Sequence, residues 1–254
     1  MMPNAPPAPP MPPPMAPPKK SKLPVLIVVF GLLAVIFIGV SMATPWYNIK
    51  YEMSAMGISA STEINMDFQG TTVKTPTGDQ TTKWADAKGA DKTKGVYGTA
   101  QIMDILGLVM CILLLVGGVL LMMGPQKKML ALIFGLLAFI FAMLGPVLFM
   151  AQHPGAMKDD GWNTGALTGS EGNATDWGPQ ASFSGSKEDS AGGLFTIKVT
   201  WGPALGWIMA LMGFIFALLG FILVLLVKKP SGMPAGAAPM PPPPMGQPPA
   251  PPYP

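Results

Sequence analysis

The chain contains no arginine, a single cysteine and few charged side chains. All 16 basic residues in its 254 are lysine. Arginine is the usual bidentate ligand for phosphates and bases, so its absence argues against nucleic-acid binding. Cys111 has no partner for an internal disulfide and lies in an apolar run, where it serves as a small apolar side chain. Only 11% of the residues are charged, against about 25% in soluble domains, which indicates a membrane protein.

Four apolar runs are long enough to cross a bilayer, which takes about 20 residues. The only charged residue within them is Asp104. The predicted organisation is tail 1–22, spans 23–43, 102–123, 129–150 and 205–227, outer loops 44–101 and 151–204, turn 124–128 and tail 228–254.

Lysine placement predicts the orientation of these spans. Lysines precede the first span, occupy the short turn and follow the fourth span, whereas all 13 acidic residues, including Asp104, lie on the other side. The positive-inside rule then places both termini in the cytoplasm and both loops outside the cell membrane. Trp46, Trp201 and Trp207 fit an outer interfacial belt. Residues 41–43 also resemble a signal cleavage site, but the preceding apolar run is longer than a signal peptide's.

The two tails consist mostly of proline, alanine, methionine and glycine. This composition cannot bury a core and predicts disordered segments with polyproline character. Residues 14–19 match a PxxPxK pattern that proline-reading domains bind. A solvated spacer is the favoured interpretation, and recruitment of such domains is the alternative.

Small residues recur at steps of four and three in the third and fourth spans. This 3.5-residue repeat predicts that the two spans pack against each other through these rows. The predicted helix-packing residues are Ala131, Gly135, Ala138, Ala142, Gly145, Gly206, Ala210, Gly213, Ala217 and Gly220.

The outer loops contain alternating segments that predict β-strands. Residues 46–53 and 58–68 alternate around a turn, 71–75 and 80–84 form a weaker pair, and 194–201 lead into the fourth span. The two loops are expected to form one sheet, whose apolar face either packs on the helix ends or stays partly open as a partner site. The predicted cap residues are Trp46, Tyr47, Ile49, Tyr51, Ile64, Met66, Phe68, Phe195, Ile197, Val199 and Trp201.

This layout, with "TPWY" after the first span and "VTWGPALGW" entering the last, resembles the claudin/PMP22-like four-transmembrane superfamily. The resemblance implies a membrane α+β fold: a four-helix transmembrane bundle with a small extracellular antiparallel sheet, four strands from the first loop and one from the second. The W-GLW-C-C motif of claudins is absent, since the first loop has Trp46 and Trp84 but no cysteine. No functional residue is therefore carried over.

Few residues suggest chemistry. His153, the only histidine, is followed by Asp159 and Asp160, a set that could hold a cation or serve as a base, although an interfacial polar cluster is favoured. Asp104 is an intramembrane carboxylate, expected near the start of its helix and facing water. Asn173 begins a glycosylation sequon. No catalytic, cofactor-binding or metal-binding residue is predicted.

These features predict a non-enzymatic multi-pass membrane protein that acts as a cell-surface structural, adhesion or membrane-organising component. One alternative is an accessory subunit that regulates a channel, transporter or membrane enzyme through helix contacts. Another is a scaffold that recruits proline-reading domains through its tails. The expected partners are the lipid bilayer and other membrane proteins or a second copy of the chain.

Overall fold

The structure is a computed structural model that describes residues 22–124, 127–162, 178–191 and 195–227. Both tails and the predicted sequon at Asn173 lie outside these residues. The described elements are α1 (Leu23–Ala43), β1 (Tyr47–Ala55), β2 (Ile58–Met66), β3 (Gly70–Thr75), β4 (Gly78–Lys83), α2 (Asp91–Met123), α3 (Lys128–Asp159), β5 (Gly185–Ala191), β6 (Phe195–Pro203) and α4 (Leu205–Leu226).

The four helices form a bundle, and each is long and apolar enough to cross a membrane. Helices α1 and α4 have 21 and 22 residues, about the thickness of a bilayer core at about 1.5 Å per residue. Helices α2 and α3 have 33 and 32 residues and extend well beyond that length. Helix α2 begins at Asp91 rather than at residue 102, and α3 continues past residue 150. Hydropathy detects only the part of each helix that is as long as the bilayer core is thick, because the extensions mix polar and apolar residues.

The rows of small residues are all buried, and the third and fourth membrane-length helices are in contact, since a Cβ added to Gly135 would lie 3.2 Å from the Phe221 ring, but the two rows do not chiefly face each other. The α3 row faces chiefly α2, where a Cβ added to Gly117 would lie 3.0 Å from the Cα of Ala131. The α4 row faces α1, where a Cβ on Gly213 would lie 2.6 Å from Cγ1 of Ile38. Each row thus allows another helix to approach closely, but the repeat by itself does not show which helix that is.

The strands form one antiparallel sheet in the order β4-β3-β2-β1-β6-β5, which confirms the predicted α+β class and a sheet shared by both segments. The central strand β1 pairs along its whole length with β2 and β6, so that Tyr47 lies opposite Met66 on one side and Pro203 on the other. The second segment contributes two strands rather than the expected one. Strand β5, with sequence GSKEDSA, lacks apolar alternation because it is a polar edge strand.

One face of the sheet packs on the extensions of α2 and α3. Tyr47, Ile49 and Val199 are buried there against Tyr97 and Phe149. The predicted cap face is only partly correct, because Ile64 is half-buried and Phe195 is exposed. Those two positions lie beyond the area that the helix extensions cover fully.

A candidate functional site at the junction of sheet and bundle

Trp46 joins α1 to the first strand. Its Nε1 donates to the carbonyl of Ser41 at 3.0 Å, and its ring lies 4.7 Å from Phe68 and 5.1 Å from Phe149 between centroids. The ring is fully buried and Trp201 is buried as well, so neither ring is exposed as an interfacial belt requires, whereas Trp207 is half-buried. Their indoles pack within the protein because strands start directly at the helix ends.

Asp104 is buried within the bundle. Ser41 Oγ donates to its Oδ2 at 2.9 Å. A Cβ added to Gly145 would lie 2.6 Å from Asp104 Oδ1, so the glycine leaves room for the carboxylate. Asp104 was predicted to face water near a helix start, but α2 begins at Asp91 and places the side chain against two other helices. Its position favours a role in joining helices.

His153 occupies an aromatic cage between the sheet and the helices. The cage consists of Tyr47 from β1, Tyr97 from α2, Phe149 from α3 and Phe183, which precedes β5. Their ring centroids lie 4.2, 5.7, 4.7 and 6.3 Å from the imidazole, respectively. His153 is fully buried. The interpretation of His153 as an interfacial polar group is therefore replaced by a core position.

The polar atoms of this cage lack hydrogen-bond partners among the described residues. Both ring nitrogens of His153 and the hydroxyl groups of Tyr47 and Tyr97 are buried without a partner. Buried polar atoms are normally paired, so four orphaned atoms in one contact surface are unusual. Burial raises the pKa of the Tyr47 hydroxyl well above its ordinary value, which keeps this group neutral.

Asp160 has a different role from the one that the sequence suggested. Its carboxylate accepts the backbone N–H groups of Lys92 at 3.0 Å and Thr93 at 2.6 Å, at the start of α2. Burial tends to raise the pKa of the Asp160 carboxyl, but these hydrogen bonds and the positive charge of Lys92 outweigh it and lower that pKa. Asp160 thus caps α2 from the end of α3 and forms no site with His153.

The opposite face of the sheet is polar. Asn48 donates to both Glu63 at 2.7 Å and Asn65 at 2.9 Å, across the β1–β2 pair. Lys50 and Glu52 form an ion pair at 2.6 Å, with about half of each side chain exposed. This face has the alternation typical of a sheet that is packed on one side and solvated on the other.

The end of the β1–β2 hairpin and the start of β6 form an apolar tip, which comprises Met53, Met56, Ile58 and Phe195. Met56 is 83% exposed and Ile58 76% exposed. With Ala55 and Ala60, these residues line a shallow hollow of about 480 Å³. The tip lies about 27 Å from Tyr47 along β1, far from the helices.

The turn at this tip has an unusual backbone. Met56 and Gly57 have φ angles of 52° and 81°. A two-residue hairpin turn with two positive φ angles normally uses Asn, Asp or Gly, because other residues pay a steric cost of about 1–2 kcal/mol. Met56 is the only non-glycine residue with positive φ in the described chain. A large apolar side chain therefore occupies a position where local stability favours a small polar one.

Among the described residues, no three His, Cys, Asp or Glu side chains form a group suited to a metal ion. No model of a known protein family matches the chain, and comparison with curated proteins found no match.

Proposed function

We propose that this chain is a non-enzymatic multi-pass membrane protein, with a claudin-like layout, that acts as a cell-surface structural, adhesion or membrane-organising component. In this proposal the sheet lies outside the cell and the apolar tip contacts another protein of the membrane surface. The bundle serves as a rigid base for the sheet. Both termini face the cytoplasm.

The distribution of charge supports this orientation. Every described Asp and Glu lies in the sheet, in its connections or in the sheet half of α2 and α3. Lys22, Lys127 and Lys128 lie at the other end of the bundle, where Lys128 Nζ donates to the carbonyls of Leu225 and Val227. Among the described residues this end carries lysine without any acidic residue, and the positive-inside rule associates such an end with the cytoplasm.

The exposed apolar tip is the observation that carries the proposed function. Exposed apolar side chains of this size, grouped at the end of paired strands, are typical of a protein contact site. The positive φ of Met56 supports the same conclusion, because a costly backbone conformation retained at an exposed position suggests a functional reason.

Cysteine labelling tests the orientation. Thr77 and Ser184 are exposed at the sheet end, and the native Cys111 is buried and gives little background. With an impermeant thiol reagent on intact cells, cysteines at these two positions should label, whereas cysteines at Ser21 and Ser231 should label only after lysis. Labelling of either tail in intact cells would contradict the proposed orientation.

Site-specific photo-cross-linking tests the tip. A photoreactive residue in place of Met56 should cross-link to a defined protein in native membranes, whereas one at Thr77, in the other hairpin turn, should not. Cross-linking of protein only from lipid-exposed helix positions such as Ile133 and Ile222 would favour the accessory-subunit alternative instead.

A matched variant separates contact from stability. Asparagine adopts a positive φ at a lower steric cost than methionine. Met56→Asn should therefore make the sheet more stable by roughly 1 kcal/mol. Association through the tip should nevertheless weaken. Retention of full association by a stabilised Met56→Asn protein would rule out the tip as the contact site.

A further inference from the structure

His153, the only histidine of the chain, lies between the sheet and the helix bundle. Its surroundings must change if the sheet undocks from the bundle. Tyr47 and Phe183 cover the His153 ring from the sheet side, and Tyr97 and Phe149 cover it from the helices. Neither ring nitrogen has a hydrogen-bond partner in the part of the chain that the structure describes. A neutral imidazole fits this cage, but a protonated one would be a charge without water or a counter-ion.

Among the described residues, Asp67 acts electrostatically on Tyr97, but no carboxylate acts on the His153 imidazole itself. From β1 the facing titratable group is the Tyr47 hydroxyl, and from α2 it is the Tyr97 hydroxyl, both orphaned. Phe183 and Phe149 carry no charge. Directly after the helix that carries His153, the carboxylate of Asp160 accepts hydrogen bonds from the backbone of α2. The cage therefore excludes the imidazolium form.

We propose that docking of the sheet on the helix bundle is acid-sensitive, and that His153 is the group whose protonation releases the sheet. The docked state holds the imidazole neutral, and the undocked state exposes it to water. This acid-sensitive docking is independent of the partner contact proposed for the apolar tip.

The sign and size of the effect follow from proton linkage. An imidazole in water has a pKa of about 6.5, so above that pH docking is unaffected. Below it, the undocked state binds one proton more than the docked state, and the undocking equilibrium constant rises up to tenfold per pH unit. Between pH 6.5 and pH 5.0 the expected increase is about 16-fold.

Thiol accessibility measures this equilibrium in the full-length chain in lipid nanodiscs. Val199 is buried at the sheet–bundle contact, and a cysteine in its place reacts only after undocking. Its reaction rate with a pyridyl disulfide is divided by that of a cysteine at exposed Thr200, which cancels the pH dependence of the thiol itself. The native Cys111, buried in the bundle, reports whether the helices stay packed.

The normalised rate should rise about eightfold from pH 6 to pH 5, while Cys111 stays protected. His153→Phe keeps an aromatic ring in the cage and should abolish this slope. Tyr47→Phe is the control for disturbed packing in the cage. It removes a hydroxyl group but leaves His153 in place, so the pH slope should remain. A flat profile in the parent, or the same slope in His153→Phe, would overturn the proposal.

Discussion

Ser41 Oγ donates a hydrogen bond of 2.9 Å to Asp104 Oδ2, and the carbonyl of Ser41 accepts the Trp46 indole N–H at 3.0 Å. One residue near the end of α1 thus binds both α2 and the root of the first strand. A carboxylate within an apolar bundle is costly unless it is paired, so this contact fixes the relative position of the helices and the sheet.

Asp104→Ala should lower the stability of the bundle by about 1–3 kcal/mol, because Ser41 loses its acceptor inside an apolar contact. Asp104→Asn preserves an acceptor oxygen of the same size and should stay close to the parent. Thermal unfolding in mild detergent distinguishes the two variants. Equal loss of stability in both would show that the charge, rather than the hydrogen bond, is required.

Gly213→Leu should separate α4 from α1 and destabilise the protein by about 1–3 kcal/mol, because even a Cβ at this position meets Ile38. Gly39→Leu is the matched control, since a Cβ there meets nothing within 4 Å. Melting temperatures in detergent should differ clearly between the two variants. Similar melting of both would mean that the α1–α4 contact is looser than described.

Ile49→Asp should undock or unfold the sheet, because Ile49 is fully buried and an unpaired carboxylate there costs several kcal/mol. Thr200→Asp, at an exposed position of the neighbouring strand beside Lys50, should be tolerated. Limited proteolysis of the sheet measures the effect, and Cys111 protection shows that the bundle persists. Resistance of Ile49→Asp to protease would argue against the packed face.

Asp160→Ala should weaken the start of α2 by about 0.5–2 kcal/mol, since two backbone N–H groups lose their acceptor. The lowered pKa of Asp160 means that its stabilisation is fully present above about pH 4 and is lost as the pH falls through the folded-state pKa. Hydrogen exchange at the backbone N–H groups of Lys92 and Thr93 measures this loss of stabilisation. Loss of protection already at pH 6 in the parent would contradict the assignment and would point to another group.

The sequence by itself determined the four membrane-length helices and the alternation of β1, β2 and β6. Both signals are local: a lipid-length apolar run requires a helix, and a two-residue period requires a strand with one buried face. The burial of Ile49 and Val199 on one face follows from that two-residue period alone. The sequence also identified the small residues that helix contacts use, because small side chains are what close approach needs.

Only the tertiary structure decided which elements those residues meet. The rows on α3 and α4 face α2 and α1, Asp104 finds Ser41, and His153 lies in a cage assembled from β1, α2, α3 and the segment before β5. Strand β5 forms because β6 offers it a free edge, although its own sequence has no strand pattern. These outcomes depend on contacts between residues far apart in the chain, and a local period carries no information about the partner across such a contact.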